Sequence, residues 1–133
     1  MMNSVLIVDD EALVREMLTR VLERENYTIH EVENVDAACR VLAKVPVSVM
    51  LCDRNMPGQN GDGLIAQMSE RFPATAVILV TGDDAVPPRV ALQPGVVGHL
   101  IKPFTAGAIR DAVREAMIWH NVASKNRAAE ERE

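Results

Sequence analysis

The sequence predicts an α/β fold: a doubly wound, five-stranded parallel sheet with a shortened fourth helix. Two observations carry this. Short apolar runs alternate along the chain with segments of helical apolar spacing, an order that gives parallel strands covered on both faces. The chain has 133 residues and is 48% apolar, enough for one domain with its own core. Only 3% is aromatic, so that core must be built from Val, Leu, Ile, Ala and Met.

The elements follow in order. Ser4–Val8 is a continuous apolar run, short and β-branched, as suits a strand buried on both faces. It stops at Asp9-Asp10-Glu11. Leu13, Val14, Met17, Leu18, Val21 and Leu22 then recur at helical spacing, with Asp10 as the expected N-cap. Residues 27–33 alternate weakly and read as the second strand, and Val35–Lys44 as the second helix, ended by Pro46. Val47–Cys52 is a third, buried strand, stopping at Asp53. Residues 54–63 read as loop, with Met56-Pro57 as turn chemistry and Gly61 allowing tight entry into a helix marked by Leu64, Ile65, Met68 and Phe72. Ala76–Val80 is the fourth strand, stopping at Thr81, and Val96–Ile101 the fifth, stopping at Lys102-Pro103. Between them Pro87, Pro88 and Pro94 leave room for about two helical turns. Ile109, Ala112, Val113, Ala116 and Met117 mark the last helix, and Phe104 reads as core.

Charge narrows the function. Acids outnumber bases 19 to 14, a net charge of −5. With no long basic run and few rings for base stacking, direct nucleic-acid binding by this chain is not expected. No apolar run reaches the roughly 20 residues of a membrane span, and nothing before Ser4 reads as a signal peptide. No membrane association and a cytoplasmic location are expected. Cys39 and Cys52 lack CxxC or metal-ligand spacing and read as buried free thiols. His30 and His120 read as surface or hydrogen-bonded residues.

Ligands of such sheets bind beyond the carboxyl ends of the strands. Asp9 and Asp10 follow the first strand, Asp53 the third, Thr81 the fourth and Lys102 the fifth. Converging carboxylates repel unless a cation sits among them, and an all-oxygen set suits Mg²⁺. A carboxylate beside a divalent cation can attack phosphorus and form an aspartyl phosphate. Lys102 then offers charge neutralisation and Thr81 a hydroxyl donor. Gly-rich nucleotide-binding loops are missing from the sequence.

In these residues the chain resembles the receiver domains of two-component response regulators, of the chemotaxis type. The matching motifs are Leu6-Ile-Val-Asp-Asp-Glu11, Asp53-Arg-Asn-Met-Pro-Gly58 with Gly61, Val80-Thr-Gly82 and Lys102-Pro-Phe104. The resemblance implies a flavodoxin-like sheet of order 2-1-3-4-5. It implies a receiver at residues 3–119 and a tail at 120–133, either a helix extension or a linker stub. Asp53 would accept a phosphoryl group from the phosphohistidine of a sensor histidine kinase or a phosphotransfer protein. Asp10 would bind Mg²⁺ directly, Asp9 mostly through water, and Asp53 and the Asn55 backbone carbonyl would complete the protein ligands. Lys102 would pair with the phosphoryl group, its bond to Pro103 cis, and Thr81 would move toward the phosphoryl oxygen. Asn55 and Asp83 would tune dephosphorylation. The activity would be confined to the chain's own phosphorylation and dephosphorylation, and the output would be a downstream protein or an output domain beyond this sequence.

The sequence departs from the family in two places. His99 stands where a mobile Tyr or Phe is usual; it either moves with Thr81 or simply sits exposed. A phosphorylation-dependent dimer through the fourth helix, fifth strand and fifth helix is usual too, and the short helix here predicts another partner surface or order gained on activation. Two other functions compete. An aspartate-nucleophile phosphatase would want a second Asp where Asn55 stands. A phosphorylation-independent pseudo-receiver would have no need of Asp9, Asp10, Asp53, Thr81 and Lys102 together.

Overall fold

The computed structural model describes residues 3–82 and 86–132, so the expectation for Asp83 lies outside the described residues. Strands β1 (Ser4–Val8), β2 (Thr28–Val32), β3 (Val49–Asp53), β4 (Ala76–Thr81) and β5 (Val96–Ile101) form one parallel sheet in the order β2-β1-β3-β4-β5. Helices α1 (Ala12–Glu23), α2 (Val35–Lys44), α3 (Gly61–Arg71), α4 (Pro88–Ala91) and α5 (Ala106–Arg132) cover it. The strand order reverses at β1, which pairs with β2 on one side and β3 on the other. That reversal opens a crevice above the carboxyl ends of β1 and β3.

The central strands are apolar between their polar end residues because both of their faces are buried. Successive side chains point to opposite faces, so each strand feeds two cores. Val5, Ile7, Val49, Leu51, Ile78 and Val80 pack with Leu18 and Leu22 of α1 and Ile109, Val113 and Ala116 of α5. Leu6, Val8, Met50, Cys52, Val77 and Leu79 pack with Ala38 and Leu42 of α2 and Leu64, Ile65 and Met68 of α3. Phe104 packs half-buried against the first of these cores. Met56, expected only as part of a turn, is buried in the second.

Several boundaries differ from the sequence expectation. Glu11, not Asp10, is the residue before α1, and its own side chain makes no cap; the Asp9 carboxylate accepts the Glu11 N–H instead, at 2.9 Å. Helix α3 begins at Gly61 despite two early glycines, because the Asn60 side chain caps it by accepting from Gly63 N. Gly61 therefore serves close packing rather than a left-handed turn: a Cβ there would stand 3.2 Å from Asp53 O. Asp53 and Thr81 are the last residues of their strands, not the first beyond them. Helix α4 is a single turn of four residues, where two turns were expected, with Pro88 opening it. Cys52 is buried as expected, but Cys39 is only half-buried.

Residues 120–132 continue α5 without a break at Trp119. His120 is hydrogen-bonded, its Nδ1 donating to Ala74 O at 2.6 Å. Among the described residues no helix is long and apolar enough to cross a membrane.

The packing at Gly61 is testable. The neighbour that a Cβ would meet is strand backbone, which cannot yield as a flexible side chain would. Gly61→Ala should lower folding stability by about 1 kcal/mol or more, read as a lower urea midpoint. An unchanged midpoint would mean that β3 and α3 can separate freely here.

Candidate functional site

The carboxyl ends of four strands deliver the site. The β1–β3 register pairs Val8 with Cys52, so the next residue on each strand is an aspartate. Asp9 is 1% exposed and Asp53 0%. Asp10 and Glu11 follow Asp9 into solvent. Carboxylate oxygens of Asp9, Asp10, Glu11 and Asp53 all lie within 4.8 Å of one another. Thr81 arrives buried at the end of β4, and Lys102 at the end of β5, where its N–H donates to Thr81 O at 2.8 Å. The Lys102–Pro103 peptide is cis.

Among the described residues Lys102 is the cation paired with these carboxylates. Lys102 Nζ stands 3.2 Å from Glu11 Oε1 and 3.5 Å from both Asp9 Oδ2 and Asp53 Oδ2. Backbone amides orient the buried pair: Glu11 N donates to Asp9 Oδ1 and Asn55 N to Asp53 Oδ1, each at 2.9 Å. The Arg15 guanidinium donates to Asp9 O at 2.7 Å and holds the turn out of β1. Exposed Asn55 places its Nδ2 3.5 Å from Thr81 Oγ1.

The electrostatics follow from burial. Burial, with the charge on Asp53 adding to it, raises the Asp9 carboxyl to about 6 against the opposing Glu11 amide and Lys102. For Lys102 burial works downward, but Asp9, Asp53 and Glu11 outweigh it and the net shift is upward. Burial pushes the Cys52 thiol up to about 12, with Asp53 adding to it, so this thiol next to the site is inert. Asp9 Oδ2 is buried without a hydrogen-bond partner among the described residues, its contact with Lys102 being an ion pair at 3.5 Å. An orphaned anionic oxygen in an all-oxygen cluster fits a hard divalent cation. These carboxylates could hold one.

The structure thus brings together Asp9, Asp10, Asp53, Asn55, Thr81 and Lys102. It does not bring His99 to them; that side chain is exposed on β5. Glu11 was counted only among the acidic strand-end residues, yet its carboxylate joins the cluster and pairs with Lys102. Its signal was its place in the run that ends β1.

Residues 5–114 match the family model of the response regulator receiver domain. The chain belongs to that family. It is 36% identical over 114 residues to the response regulator protein FleR of Pseudomonas aeruginosa, covering 85% of this chain and 24% of FleR. It is 37% identical over 104 residues to the transcriptional regulatory protein ResD of Bacillus subtilis, covering 77% of this chain and 43% of ResD. The receiver thus spans less than half the length of these curated relatives. Its fold is also that of the signal receiver domain of an HD domain-containing protein from Pseudomonas fluorescens, with a TM-score of 0.86, 23% identity and 93% of each chain covered. A CheY-like response regulator receiver domain from Methanospirillum hungatei gives a TM-score of 0.83 at 20% identity, covering 91% of this chain and 98% of that one.

The burial of Asp9 makes a pH prediction. A carboxyl raised from 3.8 to about 6 in the folded state binds its proton more tightly there than when unfolded. The stability it contributes is present below its unfolded value and lost as pH rises through about 6. In chelator at pH 7.5, Asp9→Asn should therefore be more stable than the parent by about 3 kcal/mol. The gap should close toward pH 4, as urea titrations at each pH would show. Equal stabilities at pH 7.5 would refute a burial penalty on Asp9.

Proposed function

We propose that this receiver is a phosphorylation-controlled switch whose acceptor is Asp53. The observation that carries this reading is the buried Asp9–Asp53 pair, with Lys102 beside both carboxylates and an Asp9 oxygen left without a hydrogen bond among the described residues. A folded protein does not crowd carboxylates in this way without a compensating function. Asp9, Asp10, Asp53 and the Asn55 carbonyl would hold Mg²⁺. When bound, that ion supplies charge neutralisation and polarises the phosphoryl oxygens.

The residues of the chain do the rest. The Asn55 amide fixes one Asp53 oxygen and so aims the carboxylate. A lone pair of Asp53 attacks phosphorus as the bond from phosphorus to the donor nitrogen breaks, and that electron pair leaves with the imidazole of the donor. Lys102, already 3.5 Å from Asp53 Oδ2, balances the charge on the transferred group. Thr81, buried at the end of β4, would donate its hydroxyl to that group. Asn55 and Asp83 would set how readily water removes it.

The donor in this reading is a sensor histidine kinase or a phosphotransfer protein. The chain acts only on its own phosphorylation and is not an enzyme of outside metabolites. It works in the cytoplasm and controls a partner protein or an output domain, since the matched region covers only 24% of FleR and 43% of ResD. Contact with DNA, as the name of ResD suggests for that regulator, would belong to such an output and not to this acidic chain.

Incubation with a small phosphodonor and Mg²⁺, followed by intact mass, tests the proposal. The parent should gain one phosphoryl group, Asp53→Asn none, and Lys102→Ala should react at least about tenfold more slowly. Chelator should abolish the gain. A folded parent that gains nothing would favour the phosphorylation-independent interaction module.

A further inference from the structure

Residues 54–60 connect β3 to α3 and carry Asn55, whose amide orients Asp53. The two ends of this loop nearly touch, since a Cβ on Gly61 would lie 3.8 Å from Arg54 Cα. Two side chains fasten it from the loop itself. Asn60 caps α3, and Gln59 Oε1 accepts from Val35 N at 2.7 Å, tying the loop to the first residue of α2. A third fastening closes the base. Arg54 Nε donates to Asp62 Oδ1 at 3.0 Å and Nη2 to Asp62 Oδ2 at 3.1 Å, a planar two-pronged match.

This pair differs from an ordinary surface ion pair. Its side chains are 13% and 32% exposed, against 74% and 53% for Arg20 and Glu16. Solvent therefore screens it less. Neither residue hydrogen-bonds the carboxylates of the acidic cluster among the described residues. Asp62 also sits in the first turn of α3, where a negative charge suits the helix dipole.

We infer that Arg54 and Asp62 are positioning residues: their ion pair presets loop 54–60, and so Asn55, for the cation and the phosphoryl group at Asp53. The inference rests on the reading of Asp53 as phosphoryl acceptor. A loop already held in shape gives up little freedom when its amide and carbonyl are engaged. Cutting the pair makes the binding step itself order the loop. The two cores stay as they are, because neither side chain belongs to them.

A pure field effect makes the opposite forecast for one partner. Arg54 is a cation near the acidic cluster, so its removal would then tighten Mg²⁺ binding, whereas removal of Asp62 would weaken it. Preset geometry requires both removals to weaken it, and not additively, because each breaks the same link.

The test uses the full 133-residue chain and Mg²⁺ alone, followed by amide NMR shifts and by thermal shift. Arg54→Ala and Asp62→Ala should each weaken Mg²⁺ binding about tenfold, as loss of an outer partner typically does. The double variant should be no weaker than the worse single one. Arg54→Lys, unable to bind in two prongs, should fall between. Amides of residues 55–59 should exchange faster in all of them without added metal. Opposite signs for the two alanine variants, additive losses, or an unchanged Mg²⁺ midpoint would each overturn the inference. A folded parent that ignores Mg²⁺ would instead sink the acceptor reading, and the ligand role of the staple with it.

Discussion

Asp9 and Asp53 end neighbouring central strands, almost wholly removed from water, and their carboxylates share one small volume with those of Asp10 and Glu11. Two such charges about 5 Å apart repel by roughly 3–4 kcal/mol at an effective dielectric near 20. Lys102 stands 3.5 Å from each buried carboxylate and attracts both on the same scale. One ammonium can offset the central pair but not all four acids. Asp10 and Glu11 reach solvent, whereas burial leaves Asp9 reluctant to ionise. The sheet is what makes this crowding durable. Asp9 and Asp53 cannot drift apart without breaking the ladder between β1 and β3, which both cores clamp.

The same ladder explains what the sequence could convey. A strand buried on both faces is apolar along its interior, so β1, β3 and β4 stand out as runs. The first polar residue after such a run has to lie near the edge of the sheet. Asp9, Asp53, Thr81 and Lys102 are therefore legible in the sequence as one site, and the resemblance to receiver domains supplies their expected roles. Boundaries were less legible. Asp53 and Thr81 look like the residues after a strand because they are polar, yet the backbone goes on pairing through them. The start of α3 was hidden by Gly61 and Gly63, which lower helix propensity, while the cap from Asn60 and the contact with Asp53 O outweigh it.

Other features depend on the chain closing on itself. Nothing in a linear reading singles out Arg15 as the holder of Asp9 O, six residues back. Nothing distinguishes the pair of Arg54 and Asp62 from other opposite charges eight residues apart, because its two-pronged geometry appears only once β3 and α3 are packed. Gln59 reads as a polar loop residue until its carboxamide is seen on the first amide of α2. Such contacts join elements whose relative placement the tertiary fold decides.

Stiffness is unevenly distributed around the acidic cluster. On the β1–β3 side the strands are fully buried and the loop after β3 is fastened at three points. On the far side the packing thins. Helix α4 is a single turn, Leu92 just beyond it is 79% exposed, and His99 and Ile101 on β5 face solvent. The β4–β5 ladder itself shifts register between Val77 and Ile78. Thr81 and Lys102 bridge the two sides, for they share a backbone hydrogen bond at the ends of these strands while the Lys102 ammonium reaches Asp53 and the Thr81 hydroxyl faces the Asn55 carboxamide. A charge change at Asp53 therefore meets a wall that cannot move on one side and a lightly packed edge on the other. Displacement costs least toward β5, and the fold directs any response there by the contacts that edge lacks.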